Sequence, residues 1–353
     1  MNKMKKILLI FIAIISIFTI SGCGNNEEFE FKYWNDCKSI NVLKNYVKDV
    51  INESSDYYIP QSDRIAVFDM DGTLCGELFP TYLEYLLCAY RVLYDSSYQA
   101  SADLIDVGNQ IMEGAKGDGT GTYPSDMALI HANAQAKAFA GLTASEFEDY
   151  VKNFLNRDAD GFSNMKYSES LYLPMIEVVS YLQINDFTTY IVSGSDRFLC
   201  RAFACEKLNI PYNQVIGMDV KMKATNQGDT DSLDYTFASN DKLVRSDELL
   251  IKNLKNNKVT AIAKEIGKQP VLSFGNSSGD TAMHMYTITN NKHKAEAFML
   301  IADDETRDYG NTIKNTALGE SWESNGFNVI SMLNDFKTIY GENVIKTSLS
   351  YQF

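Results

Sequence analysis

Ile65-Ala66-Val67-Phe68-Asp69-Met70-Asp71-Gly72-Thr73-Leu74 is the stretch on which the fold turns. Its apolar run, with β-branched and aromatic members, reads as a buried strand, and Gly72 permits the turn that ends it. Residues two apart on a strand share a face, so Asp69 and Asp71 project together while Phe68 and Met70 point elsewhere. Two carboxylates converging at a strand end repel each other unless a proton or a cation lies between them. A divalent ion is the natural third party, and oxygen ligands suit magnesium. The competing reading is a fortuitous acidic turn, because Asp and Gly are common turn residues.

Three more segments follow in order. Thr189-Tyr190-Ile191-Val192-Ser193-Gly194 is an apolar strand ending in a hydroxyl residue. Lys258 opens the helical segment Val259-Thr260-Ala261-Ile262-Ala263-Lys264-Glu265-Ile266. Val271-Leu272-Ser273-Phe274-Gly275-Asn276-Ser277-Ser278-Gly279-Asp280 is a strand followed by an acidic loop. Taken with Asp69-Met70-Asp71-Gly72-Thr73, these resemble the four motifs of the haloacid dehalogenase-like superfamily over roughly residues 60–340. The likeness is greatest to its phosphoserine-phosphatase-like branch, in which a lysine precedes the last motif much as Lys258 precedes Asp280. One departure is Asn276, which stands where many members carry the first Asp of the fourth motif. Its amide oxygen can coordinate a metal but brings less charge.

The resemblance implies an α/β fold, a Rossmann-like doubly wound parallel sheet with an inserted, mainly helical cap domain. Strands alternating with helices imply the same sheet, with ligands at the carboxyl ends of its strands. The family's roles carried onto this chain make Asp69 the nucleophile that forms an aspartyl-phosphate and Asp71 the general acid and then base. Ser193 and Lys258 would hold the phosphoryl group, with Thr73 and Gly194 beside it. Asp69, Asp71, Asn276 and Asp280 would bind Mg2+. Asp71 points to phosphate-ester chemistry, because ion-pumping ATPases of the family have Thr there. Each residue also has a plainer reading. Ser193-Gly194-Ser195-Asp196 could cap the next helix, Lys258 could be one more solvated lysine beside Lys252, Lys255 and Lys264, and Lys242 competes for the lysine role.

The long insertion between the first two motifs reads as a cap over residues 76–168, with core at 61–75 and 169–345. Apolar residues at helical spacing mark Leu78 to Leu93, Ala102 to Met112 and Met127 to Ala140. Thr143 and Glu146 have the spacing of a helix-start capping box. Gly114 to Gly121 lacks the flanks of a phosphate loop and reads as a cap loop. Glu77 lies near a position where phosphoserine-phosphatase-like enzymes hold the substrate amine, and Tyr82, Tyr85 and Tyr123 could add cation–π contact. The alternative for Glu77 is a helix N-terminal charge. Farther on, Lys221 to Asn240 is consistent with a β-hairpin, and Ala297 to Ile301 with a buried strand.

At the start of the chain, Lys3, Lys5 and Lys6 precede an apolar run from Ile7 to Ile20 that is short for a bilayer span. Ile20-Ser21-Gly22-Cys23 resembles a bacterial lipobox. Residues 1–22 then form a lipoprotein signal peptide, and Cys23 carries the lipid. The expected location is the outer face of a bacterial membrane, at the cell surface or in the periplasm. An ordinary signal peptide or short anchor helix is the alternative. Residues 23–60 form a tether and a helix over 38–52, with Phe29, Phe31, Tyr33 and Trp34 docked on the core. Cys37, Cys75, Cys88, Cys200 and Cys205 are odd in number and show no disulfide framework, and no zinc pattern occurs.

Composition bounds the rest. The chain of 353 residues is 45% apolar with 6 prolines, which suits globular domains with a sizeable core. With 46 acidic against 32 basic side chains it carries −14 charges, a poor match for nucleic acid. The expected partner is a small phosphomonoester, with amine-bearing ones among the candidates, and the membrane enters only through the lipid. A lipoprotein that binds an organic phosphate without turnover, and a phosphotransferase to a small alcohol, are the other readings.

Overall fold

The computed structural model of the chain describes residues 29–77, 81–115 and 122–349. The expected signal segment 1–22 and lipidation residue Cys23, with Leu78 and residues 116–121 of the expected cap loop, lie outside the described residues. Residues Met1–Glu30 form one unit and Phe31–Phe353 another, which includes the sheet and all the helices named here. No helix among the described residues is long and apolar enough to cross a membrane.

In chain order the strands are β1 (Ile65–Phe68), β2 (Phe162–Ser163), β3 (Thr188–Asp196), β4 (Val215–Ala224), β5 (Leu243–Ile251), β6 (Leu272–Gly275), β7 (Glu296–Ile301), β8 (Asn328–Ser331) and β9 (Ile345–Lys346). Seven of them make a mixed sheet in the order β5-β4-β3-β1-β6-β7-β8. All neighbours run parallel except β4 and β5. This is a Rossmann-like α/β sheet. β1 is buried along its whole length, as a central strand covered on both faces must be. Phe68, Phe274 and Phe298 occupy matched positions on β1, β6 and β7 and stack in a row, with ring centroids 4.4 and 4.9 Å apart. From β1 the chain builds outward first through β3 and β4, then through β6 to β8 on the other side. The carboxyl ends of β1, β3 and β6 therefore flank a switch-point crevice, where ligands bind in such sheets.

The helices are α1 (Lys38–Ile51), α2 (Leu83–Ala89), α3 (Ala102–Gly114), α4 (Met127–Ala138), α5 (Ala144–Leu155), α6 (Leu173–Ile184), α7 (Arg197–Leu208), α8 (Asn256–Glu265), α9 (Thr281–Ile288), α10 (Thr312–Ser324) and α11 (Met332–Asp335). α2 to α5 fall within the insertion between β1 and β3. α2 begins at Leu83 and runs into a π-helical turn at Tyr90–Tyr94. α1 lies where its apolar spacing predicts. It is pinned by Tyr46, whose hydroxyl donates to the carbonyls of Val271 at 3.2 Å and Lys294 at 2.9 Å. Trp34 is buried and donates to the Pro174 carbonyl at 2.9 Å, and Phe31 packs half-buried against it, so these two residues are docked on the core. The five cysteines Cys37, Cys75, Cys88, Cys200 and Cys205 are free thiols.

Thr143 caps α5 with both halves of the capping box. Its hydroxyl accepts from Glu146 N at 3.2 Å, and Glu146 Oε2 accepts from Thr143 N at 2.8 Å. Thr143→Ala leaves one helix N–H without its cap. The expected loss is about 1 kcal/mol of stability, read from urea unfolding.

The hairpin differs from its sequence expectation. Its arms are β4 and β5, so the return strand starts at Leu243 and not within Lys221 to Asn240. Residues 234–237 form no strand, and Asp241 ties the loop around itself. Its carboxylate accepts from Asn226 N at 2.9 Å, Ala238 N at 2.8 Å and the Tyr235 hydroxyl at 2.7 Å. The N–H groups of Asn226 and Ala238 are spent on this turn and cannot serve a ladder.

Candidate active site

Asp69 leaves the end of β1, where its N–H donates to the Phe274 carbonyl of β6 at 2.9 Å. The chain then turns sharply. The Met70 carbonyl accepts from Leu74 N at 2.8 Å, and Gly72 has a φ of +78°. A Cβ on Gly72 would overlap the side chains of Asn276 and Glu77, so both the backbone conformation and the space require glycine. The turn brings Asp71 to the same crevice as Asp69, and both are nearly buried. Thr73 is wholly buried beneath them, with a hydroxyl that has no hydrogen-bond partner among the described residues.

Lys258, in the first turn of α8, extends between two carboxylates. Its Nζ donates to Asp69 Oδ1 at 2.5 Å and to Asp280 Oδ1 at 2.6 Å. It is 1% exposed, which separates it from the solvated lysines around it. Lys242, the competing candidate, lies exposed at the base of the hairpin loop. Burial alone would lower the Lys258 pKa, but Asp280 and Asp69 hold it above the ordinary ammonium value.

The two carboxylates sharing this lysine are shifted in opposite directions. Burial and the negative charge of Asp280 push the Asp69 pKa up, against the pull of Lys258. Asp280 is buried as deeply, yet its pKa is lowered, by Lys258 and by further donors. Its Oδ2 accepts from the backbone N–H of Asn276 and of Ser277, both at 3.1 Å. Such donors favour the ionised form of Asp280, and Asp69 has fewer of them.

On the other side of the crevice Asp71 Oδ2 accepts from Ser195 Oγ at 2.6 Å. Burial raises the Asp71 pKa to about 7, with Ser195 opposing and Glu84 adding to the rise. Asp71 Oδ1 is buried and has no hydrogen-bond partner among the described residues. Glu77 is also pushed up to about 7 by burial, while it accepts from the Tyr82 hydroxyl and from the Asn276 amide. Tyr82 and Tyr85 lie with ring centroids 5.1 Å apart, and both line the pocket. Tyr123 does not line it, and its hydroxyl donates to Thr81 Oγ1 at 2.9 Å.

Ser193 lies just behind the crevice. Its hydroxyl accepts from Ser195 N at 3.0 Å, and the pocket at this strand is lined by Gly194 and Ser195. The helix cap in this segment is Asp196, which accepts from Phe198 N at 2.9 Å. Sequence reasoning also passed over Glu84 and Lys252. Lys252, in the segment after β5, donates to Glu84 Oε1 at 2.6 Å, and Glu84 Oε2 accepts from Asp196 N at 3.1 Å. Glu84 therefore ties α2 to the carboxyl end of β3. Its signal in the sequence is a lone carboxylate within the apolar run Leu83–Ala89. A charge in such a place must have a partner. Below it His131 is buried, and burial lowers its pKa to about 4.

These groups enclose a pocket of about 90 Å³. Asp69, Asp71, Glu77, Glu84 and Asp280 line it against Lys252 and Lys258, so carboxylates exceed ammonium groups. Among the described residues no three acidic, histidine or cysteine side chains converge as a ready ligand set. The crevice nevertheless offers oxygen donors from Asp69, Asp71, Asn276 and Asp280, and burial is the first cause of the upward shifts of Asp69 and Asp71. In chemistry this donor set fits a hard divalent cation such as Mg2+.

No protein-family model matches the chain, and no curated protein does. Among solved structures, a conserved protein of unknown function from Anaerococcus prevotii overlays with a TM-score of 0.52 at 13% identity, covering 91% of this chain and 97% of that one. A phosphoserine phosphohydrolase-like protein from Francisella tularensis gives a TM-score of 0.39 at 16% identity, covering 76% and 94%. A haloacid dehalogenase-like hydrolase from Streptococcus pneumoniae gives 0.34 at 10% identity, covering 77% and 95%. The Anaerococcus overlay spans nearly the whole of both chains and shows a shared chain path, not a shared chemistry.

Proposed function

We propose that the chain is a haloacid dehalogenase-like, magnesium-dependent phosphomonoesterase that hydrolyses a small organic phosphate through an aspartyl-phosphate. One observation carries the reading. Asp69 and Asp71 meet at the switch point of the sheet, with Lys258 bridging Asp69 to Asp280 on one side and Ser195 holding Asp71 on the other. An Asp69 oxygen attacks phosphorus in line with the ester oxygen, which departs with its electron pair and takes a proton from Asp71. Asp71 then removes a proton from water, whose oxygen attacks the same phosphorus and releases Asp69. Burial near pH 7 favours this double duty, since Asp71 can hold or yield its proton there. Lys258 balances charge on the attacking carboxylate and the phosphoryl oxygens. Gly194 and Ser195 line the floor beside it, with Ser193 fixing that end of β3 from behind.

Mg2+ would be held by oxygens of Asp69, Asp71, Asn276 and Asp280. When bound it supplies positive charge to the phosphoryl oxygens. The excess of carboxylates in the pocket favours an amine-bearing substrate, with Glu77, Tyr82 and Tyr85 on the side of the insertion. Residues 76–168 are then the cap, and a lipid on Cys23 would hold the enzyme to the outer face of a bacterial membrane.

The test is phosphate release by the purified chain from phosphocholine, phosphoethanolamine, phosphoserine and glycerol phosphate, with magnesium and with a chelator. Turnover that needs magnesium and favours the amine-bearing esters is expected. Binding of these esters with no release would favour the non-catalytic reading, and phosphoryl transfer to added glycerol in preference to water would favour the phosphotransferase.

A further inference from the structure

Within that reading, on which this inference rests, we propose that Ser195 is the positioning residue of the acid and base chemistry. It pins one oxygen of Asp71 so that the other carries the proton to the leaving group. Ser193 and Ser195 are two apart on β3 and share a face. The register of β3 against β4 shifts between Val192 and Asp196, and irregularities of this kind re-aim side chains beside active sites. Here the re-aimed hydroxyl reaches Asp71 Oδ2 at 2.6 Å. Ser195 is itself held on both sides. Its N–H donates to Ser193 Oγ at 3.0 Å, and the next N–H, of Asp196, donates to Glu84 at 3.1 Å.

The consequence lies in the second oxygen. The contact with Ser195 occupies Oδ2, which leaves Oδ1, the buried oxygen with no partner among the described residues, to carry the proton of the acid form. As the Asp69 oxygen bonds to phosphorus and the ester P–O bond breaks, the Oδ1 proton passes to the departing oxygen. In the second half a water proton returns to Oδ1 while its oxygen bonds to phosphorus and the bond to Asp69 breaks. Without Ser195 the carboxyl can rotate and share its proton between two oxygens, only one of which is aimed.

A general acid matters most when the leaving oxygen is basic. The experiment compares kcat/KM, which reports the first phosphoryl transfer, for glycerol phosphate and for p-nitrophenyl phosphate on the full chain. Ser195→Ala is expected to lose roughly 10- to 100-fold on the alkyl ester and less than about 3-fold on the aryl ester, whose phenolate leaves unprotonated. Ser195→Thr, which keeps the hydroxyl, is expected to recover most of the alkyl-ester activity. The retained aryl-ester activity shows that the variant is folded. Equal losses on both esters, or no loss on either, overturn the proposal. Asp71→Asn separates it from the parent reading, with the same selectivity expected in larger measure. Unchanged alkyl-ester hydrolysis by Asp71→Asn would overturn the role of Asp71 itself.

Discussion

Asp69→Asn is expected to abolish phosphate release, by a factor on the order of 10^4 or more, while leaving the protein as stable as before or more so. The substitution keeps the volume and an oxygen for Lys258 but removes the nucleophile. An amide cannot form the acyl-phosphate that splits the displacement into two steps. The stability half of the prediction follows from the charge arrangement. Burial and the neighbouring Asp280 both oppose ionisation of Asp69, so the wild-type carboxylate sits where its charge is disfavoured. A neutral amide relieves that repulsion, and Lys258 keeps its bond to Asp280 at 2.6 Å. Loss of function with unchanged or raised denaturant midpoint would mark a site strained for chemistry. Turnover within tenfold of the wild type would remove Asp69 from the reaction, and a large fall in stability would show that its charge is structural.

The central strand and its turn were legible because both signals are local. The apolar run at Ile65, with its β-branched and aromatic members, reads as a strand buried on both faces, and Gly72 is required by its positive φ of +78°. Lys258 was legible only through the resemblance. Nothing in its own neighbourhood separates it from Lys252 or Lys264, and the partners that decide its role, Asp69 and Asp280, lie 189 and 22 residues away. Ser195 was within reach of strand alternation, yet the bulge that turns it toward Asp71 depends on β4 and is invisible in β3 alone. The hairpin was placed too early because Asp234 to Phe237 has strand-like alternation. The partner of β4 is instead Leu243–Ile251, and the loop between them is tied by Asp241, whose contacts arise only once the loop has closed.

The largest expected effect on stability comes from outside the reacting groups. Arg245 on β5 is fully buried, and its guanidinium donates to both oxygens of Asp196, at 2.6 and 3.3 Å. It also lies over the Phe147 ring, 4.1 Å from the centroid, so the hairpin, the end of β3 and α5 meet on one side chain. Arg245→Ala leaves the Asp196 carboxylate buried at 1% exposure without its counter-charge and opens a cavity against Phe147. Breaking a buried pair from one side costs roughly 3–5 kcal/mol, more than the pair itself contributes. Asp196 directly follows Ser195 and donates its N–H to Glu84, so the loss should be felt in catalysis as well. The expected result is an unfolding free energy lowered by that amount, read from denaturant melts, with alkyl-ester turnover falling more than aryl-ester turnover. Asp196→Asn combined with Arg245→Met removes both charges together and is expected to recover much of the stability. If the double variant were no more stable than Arg245→Ala, packing against Phe147, and not the stranded carboxylate, would be the source of the loss.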